Sequence, residues 1–197
     1  MNDPALRARL YPLLTGGVWV DELPTGSTRA DVVHITEHFM HGYELKGDGD
    51  TLARVKNQLR CYTEVYDFVT FVVTEKHLPK LLLALPAWVG VLVAGPADAD
   101  GLRPHRPAAY NARVQRAPLA ALLLLEDVKQ YLLAQGLAGA STLRQREVAH
   151  YLRTAHGLPL SGLARHVRER LIARLPERLH WREVRRAERG LSRRARS

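Results

Sequence analysis

Arg29-Ala30-Asp31-Val32-Val33-His34-Ile35, followed after a short polar break by Gly42-Tyr43-Glu44-Leu45-Lys46-Gly47, is the stretch on which the reading of the fold turns. Both runs carry the β-branched and aromatic residues of strands, and both are interrupted by charge. Strand alternation puts Glu44 and Lys46 on one face and Tyr43 and Leu45 on the other, so a carboxylate and an amine lie side by side. An antiparallel pairing of the two runs brings Asp31 close to Glu44. Two carboxylates converging on one sheet edge repel each other unless a cation lies between them, and oxygen ligands of this kind suit Mg²⁺ or Mn²⁺. A water on such a cation is acidified toward neutrality, and Lys46 is placed to orient or deprotonate it and to steady charge building on a phosphate.

Working outward, residues 4–14 set Leu6, Leu10, Leu13 and Leu14 at helical spacing before the Gly16-Gly17 stop. Strands are predicted over 18–23, 29–36 and 39–46 as a β-meander, with Pro24-Thr25-Gly26-Ser27 as the first break. A helix over 51–66 carries Leu52, Val55, Leu59, Tyr62 and Tyr66 on one stripe, with Asp50 as its N-cap. Strand, helix and strand follow over 68–74, 77–85 and 88–94, and the connecting helix makes the last two strands parallel neighbours. The order is α-βββ-α-β-α-β.

The arrangement of Asp31 followed by Glu44-Leu45-Lys46 resembles the D…(D/E)xK signature of the PD-(D/E)XK nuclease superfamily. Gln58-Leu59-Arg60-Cys61-Tyr62 matches the QxxxY motif found on the next helix in RecB-type members, and Glu22 looks like the extra acidic residue many members carry upstream. The longer string through Asp50-Thr51-Leu52, Lys76-His77 and Pro86-Ala87-Trp88-Val89-Gly90 is similar to a group of largely uncharacterised bacterial and phage proteins assigned to that superfamily; the likeness covers roughly residues 17–94. That group often has two adjacent aromatics where this chain has Trp88-Val89. The resemblance implies a restriction-endonuclease-like α/β fold with an α-βββ-α-β core and a metal-dependent deoxyribonuclease, or a catalytically inactive nucleic-acid-binding relative. It implies that Asp31 and Glu44 bind metal, that the Leu45 carbonyl completes the shell, and that Lys46 acts on the attacking water. Glu22 would bind or orient metal or water, and Gln58 and Tyr62 would steady the phosphate backbone or the lysine. Tyr62 also falls on the apolar stripe, so packing explains it equally well; a solvated helix face is the alternative for Gln58.

The charge balance separates the two halves of the chain. Residues 1–95 hold nine Lys and Arg against eleven Asp and Glu, a net of −2; residues 96–197 hold twenty against nine, a net of +11, and all but one of those cations are arginine. Arginine suits phosphate contacts because it donates forked hydrogen bonds, although arginine-favouring codons explain the bias as readily. Residues 1–95 are expected to form the nuclease-like domain, 96–118 a linker rich in Pro and Gly, and 119–197 a basic α-helical domain with helices over 119–135, 142–156 and 161–174 and an arginine-dense tail that is either disordered or ordered only on a partner. DNA is the expected partner, with RNA left open. Arg29, Arg54, Arg144, Arg146, Arg165 and Arg168 are the candidate contacts, Arg165 and Arg168 lying opposite an apolar stripe. The helix pair around 155–161 is compatible with a helix-turn-helix variant.

Other readings are narrower. His34, His38 and His41 lack a metal-set spacing and are read as surface residues, and Asp48-Gly49 is read as a plain turn. The lone Cys61 excludes an internal disulfide and the zinc-ribbon spacings. No nucleophile elbow or Gly-rich phosphate loop is present, which argues against a serine hydrolase or an ATPase. No run approaches the roughly 18–20 apolar residues of a membrane span, and the polar start lacks a signal-peptide layout, so no membrane association and a cytoplasmic location are expected.

Overall fold

The computed structural model describes residues 1–95, 101–155 and 157–176. Strand β1 (Val18–Thr25) turns through Gly26-Ser27 into β2 (Thr28–Ile35), and β2 pairs antiparallel with β3 (Met40–Lys46), which completes the expected meander. Gly26 takes φ +59, a conformation the tight turn requires and one that glycine adopts without steric cost. β1 extends past Leu23 through Pro24, which an edge strand tolerates because no ladder donor is needed there.

Helix α2 (Val55–Thr63) carries the chain to β4 (Phe68–Thr74), and α3 (Leu78–Ala84) to β5 (Gly90–Ala94); β3, β4 and β5 run parallel. The expected cap at Asp50 does not form. Arg54 stands at the helix start without a side-chain cap, and Asp50 instead accepts from the Gly47 amide at 2.8 Å, closing the Asp48-Gly49 turn. The turn's own hydrogen bond consumes the carboxylate that the helix would have used.

The stretch read as a linker contributes a sixth strand, β6 (Leu102–Arg106), antiparallel to β5. Its Pro104 is again tolerated at a sheet edge. Beyond it, Asn111 is buried and donates to the carbonyls of Thr63 and Tyr66, at 2.7 and 2.8 Å, so this segment is stitched to the end of α2. Such long-range stitches leave no trace in composition. Residues 96–100 of that stretch, and the arginine-dense tail from residue 177 on, lie outside the described residues.

Helix α1 (Asp3–Leu10), extended by a 3-10 turn over Tyr11–Leu13, covers one face of the sheet. Leu6, Leu10 and Leu14 pack there with Val32, Tyr43, Leu45 and Val72; Leu13 is turned out to 52% exposure because the 3-10 turn rotates it off the α-helical stripe. The opposite face holds α2 and α3. Its core runs without a break from Val33, Tyr62, Tyr66 and Phe71 into Leu119, Leu132, Leu152 and Leu163, which belong to α4 (Arg116–Ala120), α5 (Leu125–Ala134), α6 (Gln145–Thr154) and α7 (Leu160–Ala173). The whole is a mixed α/β fold with a six-stranded sheet and seven α-helices among the described residues. No helix among them is long and apolar enough to cross a membrane.

Close packing of Tyr66, in the segment that follows α2, on β3 rests on Gly42. A Cβ there would lie 2.5 Å from the Tyr66 ring, and both strands flanking Gly42 pair with it, so neither partner can retreat cheaply. Gly42→Ala is expected to destabilise the fold by about 1–3 kcal/mol through overpacking. Urea denaturation measures this directly, and an unchanged midpoint would show that the Tyr66 ring makes room for the added methyl without cost.

A candidate active site around a buried carboxylate

Register decides where the charged strand residues go. The β2–β3 ladder runs from Ile35↔Met40 to Val32↔Tyr43 and stops there. One further step would pair Asp31 with Glu44; instead the strands fork, and Asp31 Oδ2 accepts from the Leu45 amide at 2.7 Å. The side chain thus takes the place of a ladder acceptor and pins the fork open. On the other edge of β2 the residue facing Asp31 in register is Glu22, and it has φ +55. A left-handed conformation at a non-glycine residue costs about 1–3 kcal/mol and is held only where its surroundings demand it.

Alternation sends Glu44 and Lys46 under α2, as expected, and both are almost fully buried. Glu44 Oε1 accepts from Lys46 Nζ at 2.7 Å and from Gln58 Nε2 at 2.5 Å. The Tyr62 hydroxyl lies 2.6 Å from Glu44 Oε2 and 2.8 Å from the Arg29 carbonyl, so one proton serves two acceptors. Burial first, then the charge of Glu44, holds the Tyr62 hydroxyl far above its ordinary pKa, and it stays a donor. Gln58 and Tyr62 are four residues apart on one face of α2, which is how one helix supplies two of the three donors. Gln58 is therefore neither solvated nor mere packing, and its Oε1 is buried without a hydrogen-bond partner.

Sequence reading missed the group that faces Asp31 from the other side of the sheet. Arg7 of α1 donates from Nη1 to the Asp31 carbonyl at 2.6 Å and from Nη2 to Glu22 Oε1 at 2.6 Å, and also donates from Nε to Asp3. Asp21 Oδ1 lies 3.3 Å from Nη1 and accepts from the Tyr11 hydroxyl at 2.9 Å. Burial works against the Arg7 charge, and the hydrogen bonds to Asp3 and Tyr11 with the charges of Asp3 and Asp21 more than offset it, so its pKa is raised. Nothing local in the sequence marks Arg7, because its partners on the sheet lie 14 to 24 residues away.

Asp31 itself is left short of compensation. Its Oδ1 has no nearer cation than Arg7 Nη2 at 4.0 Å, and desolvation, followed by repulsion from Glu44, pushes its pKa up to about 7. Carboxylates of Asp3, Glu22 and Asp31 lie within 4.8 Å of one another. These are hard oxygen donors of the kind Mg²⁺ or Mn²⁺ takes, but Asp3 and Glu22 are already bonded to Arg7, and Glu44, an expected ligand, is not part of the group. Leu45 contributes its amide to Asp31, while its side chain belongs to the core under α1.

The candidate nucleic-acid contacts divide. Arg29 pairs with Glu22 at 3.6 Å and remains 60% exposed; Arg54, Arg144, Arg146 and Arg165 are exposed. Arg168 is not part of that surface: it is buried and donates from Nε to the Glu37 carbonyl at 2.9 Å, tying α7 to the turn between β2 and β3. Helical spacing puts Arg165 and Arg168 near each other but cannot say which of them meets a neighbouring element. Arg170 and Arg174 are likewise engaged, with the buried Asp127 of α5 at 2.9 and 3.1 Å. Two of the histidines also depart from expectation: His34 is buried and bonds the Gly16 carbonyl, and His41 is half-buried and bonds the Thr70 hydroxyl at 2.8 Å. Burial takes the His41 pKa down to about 3, so it is neutral at physiological pH.

This is a mixed α/β protein with a carboxylate–lysine centre buried between a sheet and its crossover helix. Over residues 13–189 it matches the family described as Bacteriophage P4 protein cII, and it belongs to that family. No curated protein matches it. Among solved structures it is similar to the "SPO1766 protein of unknown function from Silicibacter pomeroyi", at 23% identity over 79% of this chain and 92% of that one, with a TM-score of 0.43.

The raised pKa of Asp31 makes stability depend on pH. The folded protein holds a proton that the unfolded chain, with an ordinary aspartate value near 3.8, has already released, so stability falls as pH rises from about 4 through about 7. In EDTA, Asp31→Asn should be more stable than the parent at pH 8 by up to several kcal/mol, at about 1.4 kcal/mol per pKa unit. That advantage should shrink toward zero near pH 4. Thermal melts across this range check it, and a pH-independent difference would count against the assignment.

Proposed function

We propose that this protein is a metal-dependent deoxyribonuclease of the PD-(D/E)XK type, hydrolysing phosphodiester bonds. The observation that carries the reading is the convergence of Lys46, Gln58 and Tyr62 on Glu44, one fork away from Asp31. These are five of the residues that the motif resemblance singled out, drawn from two strands and a helix. Surface Glu-x-Lys pairs have no reason to assemble this way, because burying a charge costs several kcal/mol.

In this reading Asp31 and Glu44, with Glu22 and the Leu45 carbonyl, hold Mg²⁺ or Mn²⁺. When bound, the metal supplies Lewis acidity and an acidified water. Lys46 keeps its ammonium fixed at Glu44 Oε1, where it offsets negative charge developing on a phosphate and orients the attacking water. Gln58 and Tyr62 fix the Glu44 carboxylate by donating to its two oxygens, so that its geometry does not relax when charge arrives. Arg29, Arg54, Arg144, Arg146 and Arg165 bind the phosphate backbone of DNA, and those contacts weaken as salt rises. Membership in a family named for a bacteriophage protein supports a phage or mobile-element setting.

A second reading is a nuclease-fold protein that binds nucleic acid without cutting it. The burial of Glu44 and Lys46, at 1% and 2% exposure, favours it, as does the commitment of both Glu44 oxygens to protein donors. Cleavage assays on linear, circular and single-stranded DNA with Mg²⁺, Mn²⁺ or EDTA separate the two. The first reading expects metal-dependent cutting that Lys46→Ala lowers by roughly 100-fold or more, with DNA binding retained. Salt-sensitive binding with no cutting of any substrate would overturn it in favour of the second.

A further inference from the structure

The carboxylate cluster beside the candidate active site already contains a cation, and that cation is a side chain. Arg7 bonds Glu22 at 2.6 Å, the Asp31 carbonyl at 2.6 Å, and Asp3, and is only 15% exposed. Its five donors, spread over a planar fork, suffice to engage several carboxylates and a backbone carbonyl at once. Its reach ends short of one atom. Asp31 Oδ1 stands 4.0 Å from Nη2, beyond hydrogen-bond distance, so Arg7 meets Asp31 through its backbone carbonyl and not through its carboxylate. Glu22 is shared between Arg7 and the exposed Arg29, and holds its left-handed backbone while doing so.

We propose that Arg7 is a positioning residue that acts as the resident counter-ion of this cluster, and that a divalent cation gains Asp31 and Glu22 only by displacing its guanidinium. The inference rests on the metal-binding reading above and adds to it a competition. The two cations share carboxylates, and the guanidinium occupies the side of the cluster toward α1. Metal affinity is then lowered by whatever free energy Arg7 gains from Glu22 and Asp31, as for any pair of ligands competing for one state. Release of Arg7 also removes its bonds from α1 to β1 and β2, so metal entry loosens the helix that covers this face of the sheet. An ordinary structural arginine would behave in the opposite sense: its loss would disorder the carboxylates and weaken metal binding.

The test is a Mn²⁺ titration of the full chain, reading free Mn²⁺ by its electron paramagnetic resonance signal, with no nucleic acid present. Arg7→Gln and Arg7→Ala are expected to bind Mn²⁺ roughly tenfold more tightly than the parent, a gain within the usual span of coupling between two sites. Adding Asp31→Asn should erase that gain. Because these variants lose the anchor of α1, a second measurement uses the unaltered protein: the Arg7 Nε–H resonance should shift or exchange with solvent on titration with diamagnetic Mg²⁺. Equal or weaker Mn²⁺ binding by folded Arg7 variants, or an Arg7 resonance indifferent to Mg²⁺ at saturation, would overturn the competition while leaving the metal site standing. No Mn²⁺ binding by any form would overturn both.

Discussion

A carboxylate buried beneath a helix is the constraint around which the described part of this protein is arranged. Glu44 sits on β3, inside the sheet between β2 and β4 and almost fully buried, and an ion taken from water into such a place costs several kcal/mol unless its neighbours replace the hydration it has lost. Lys46 offsets the charge, Gln58 and Tyr62 fill the remaining acceptor positions, and each of these demands something of the fold. Lys46 must follow at the strand period, α2 must turn the face carrying Gln58 and Tyr62 toward the sheet, and Gly42 must leave room for the Tyr66 ring in the segment that follows α2. Asn111 then holds the end of α2 from the far side, by capturing the carbonyls of Thr63 and Tyr66.

On the opposite face the problem is reversed. There the sheet edge is crowded with negative charge at Asp21, Glu22 and Asp31, and α1 answers with one guanidinium. Two cations from the protein's own chain, Lys46 and Arg7, therefore flank the fork between β2 and β3 from above and below. The fork exists because Asp31 accepts a backbone amide in place of a ladder carbonyl. It leaves Asp31 as the one carboxylate of the centre whose charge is poorly matched, and the electrostatic strain of the site is concentrated there.

Much of the first half of the chain is legible because its signals are local. Runs of β-branched and aromatic residues mark β2, β3 and β4, and alternation puts Glu44 with Lys46; the i, i+4 spacing of Gln58 and Tyr62 puts both on one side of α2; Gly26-Ser27 marks the hairpin between β1 and β2. The errors arise where a residue had more than one place to send the same group. Asp50 could cap α2 or close its own turn, and the turn prevails. Arg168 could face solvent beside Arg165 or reach the Glu37 carbonyl, and the turn between β2 and β3 was there to receive it. Pro104 and its neighbours read as linker because proline-rich composition is shared by loops and by edge strands.

By itself, then, the sequence determined which residues could share a face: strand and helix periods are properties of the backbone, and they place Glu44 with Lys46 and Gln58 with Tyr62 in any fold that keeps those elements. What the periods do not contain is the angle and distance at which one face meets another. Only the tertiary structure decided that the two pairs meet at a single carboxylate, that β2 and β3 part at Asp31, and that Arg7 comes to lie among three sheet carboxylates 14 to 24 residues away. Those contacts depend on where α1 and α2 cross the sheet, which is settled by packing of the two cores on its faces and not by any residue's immediate neighbours.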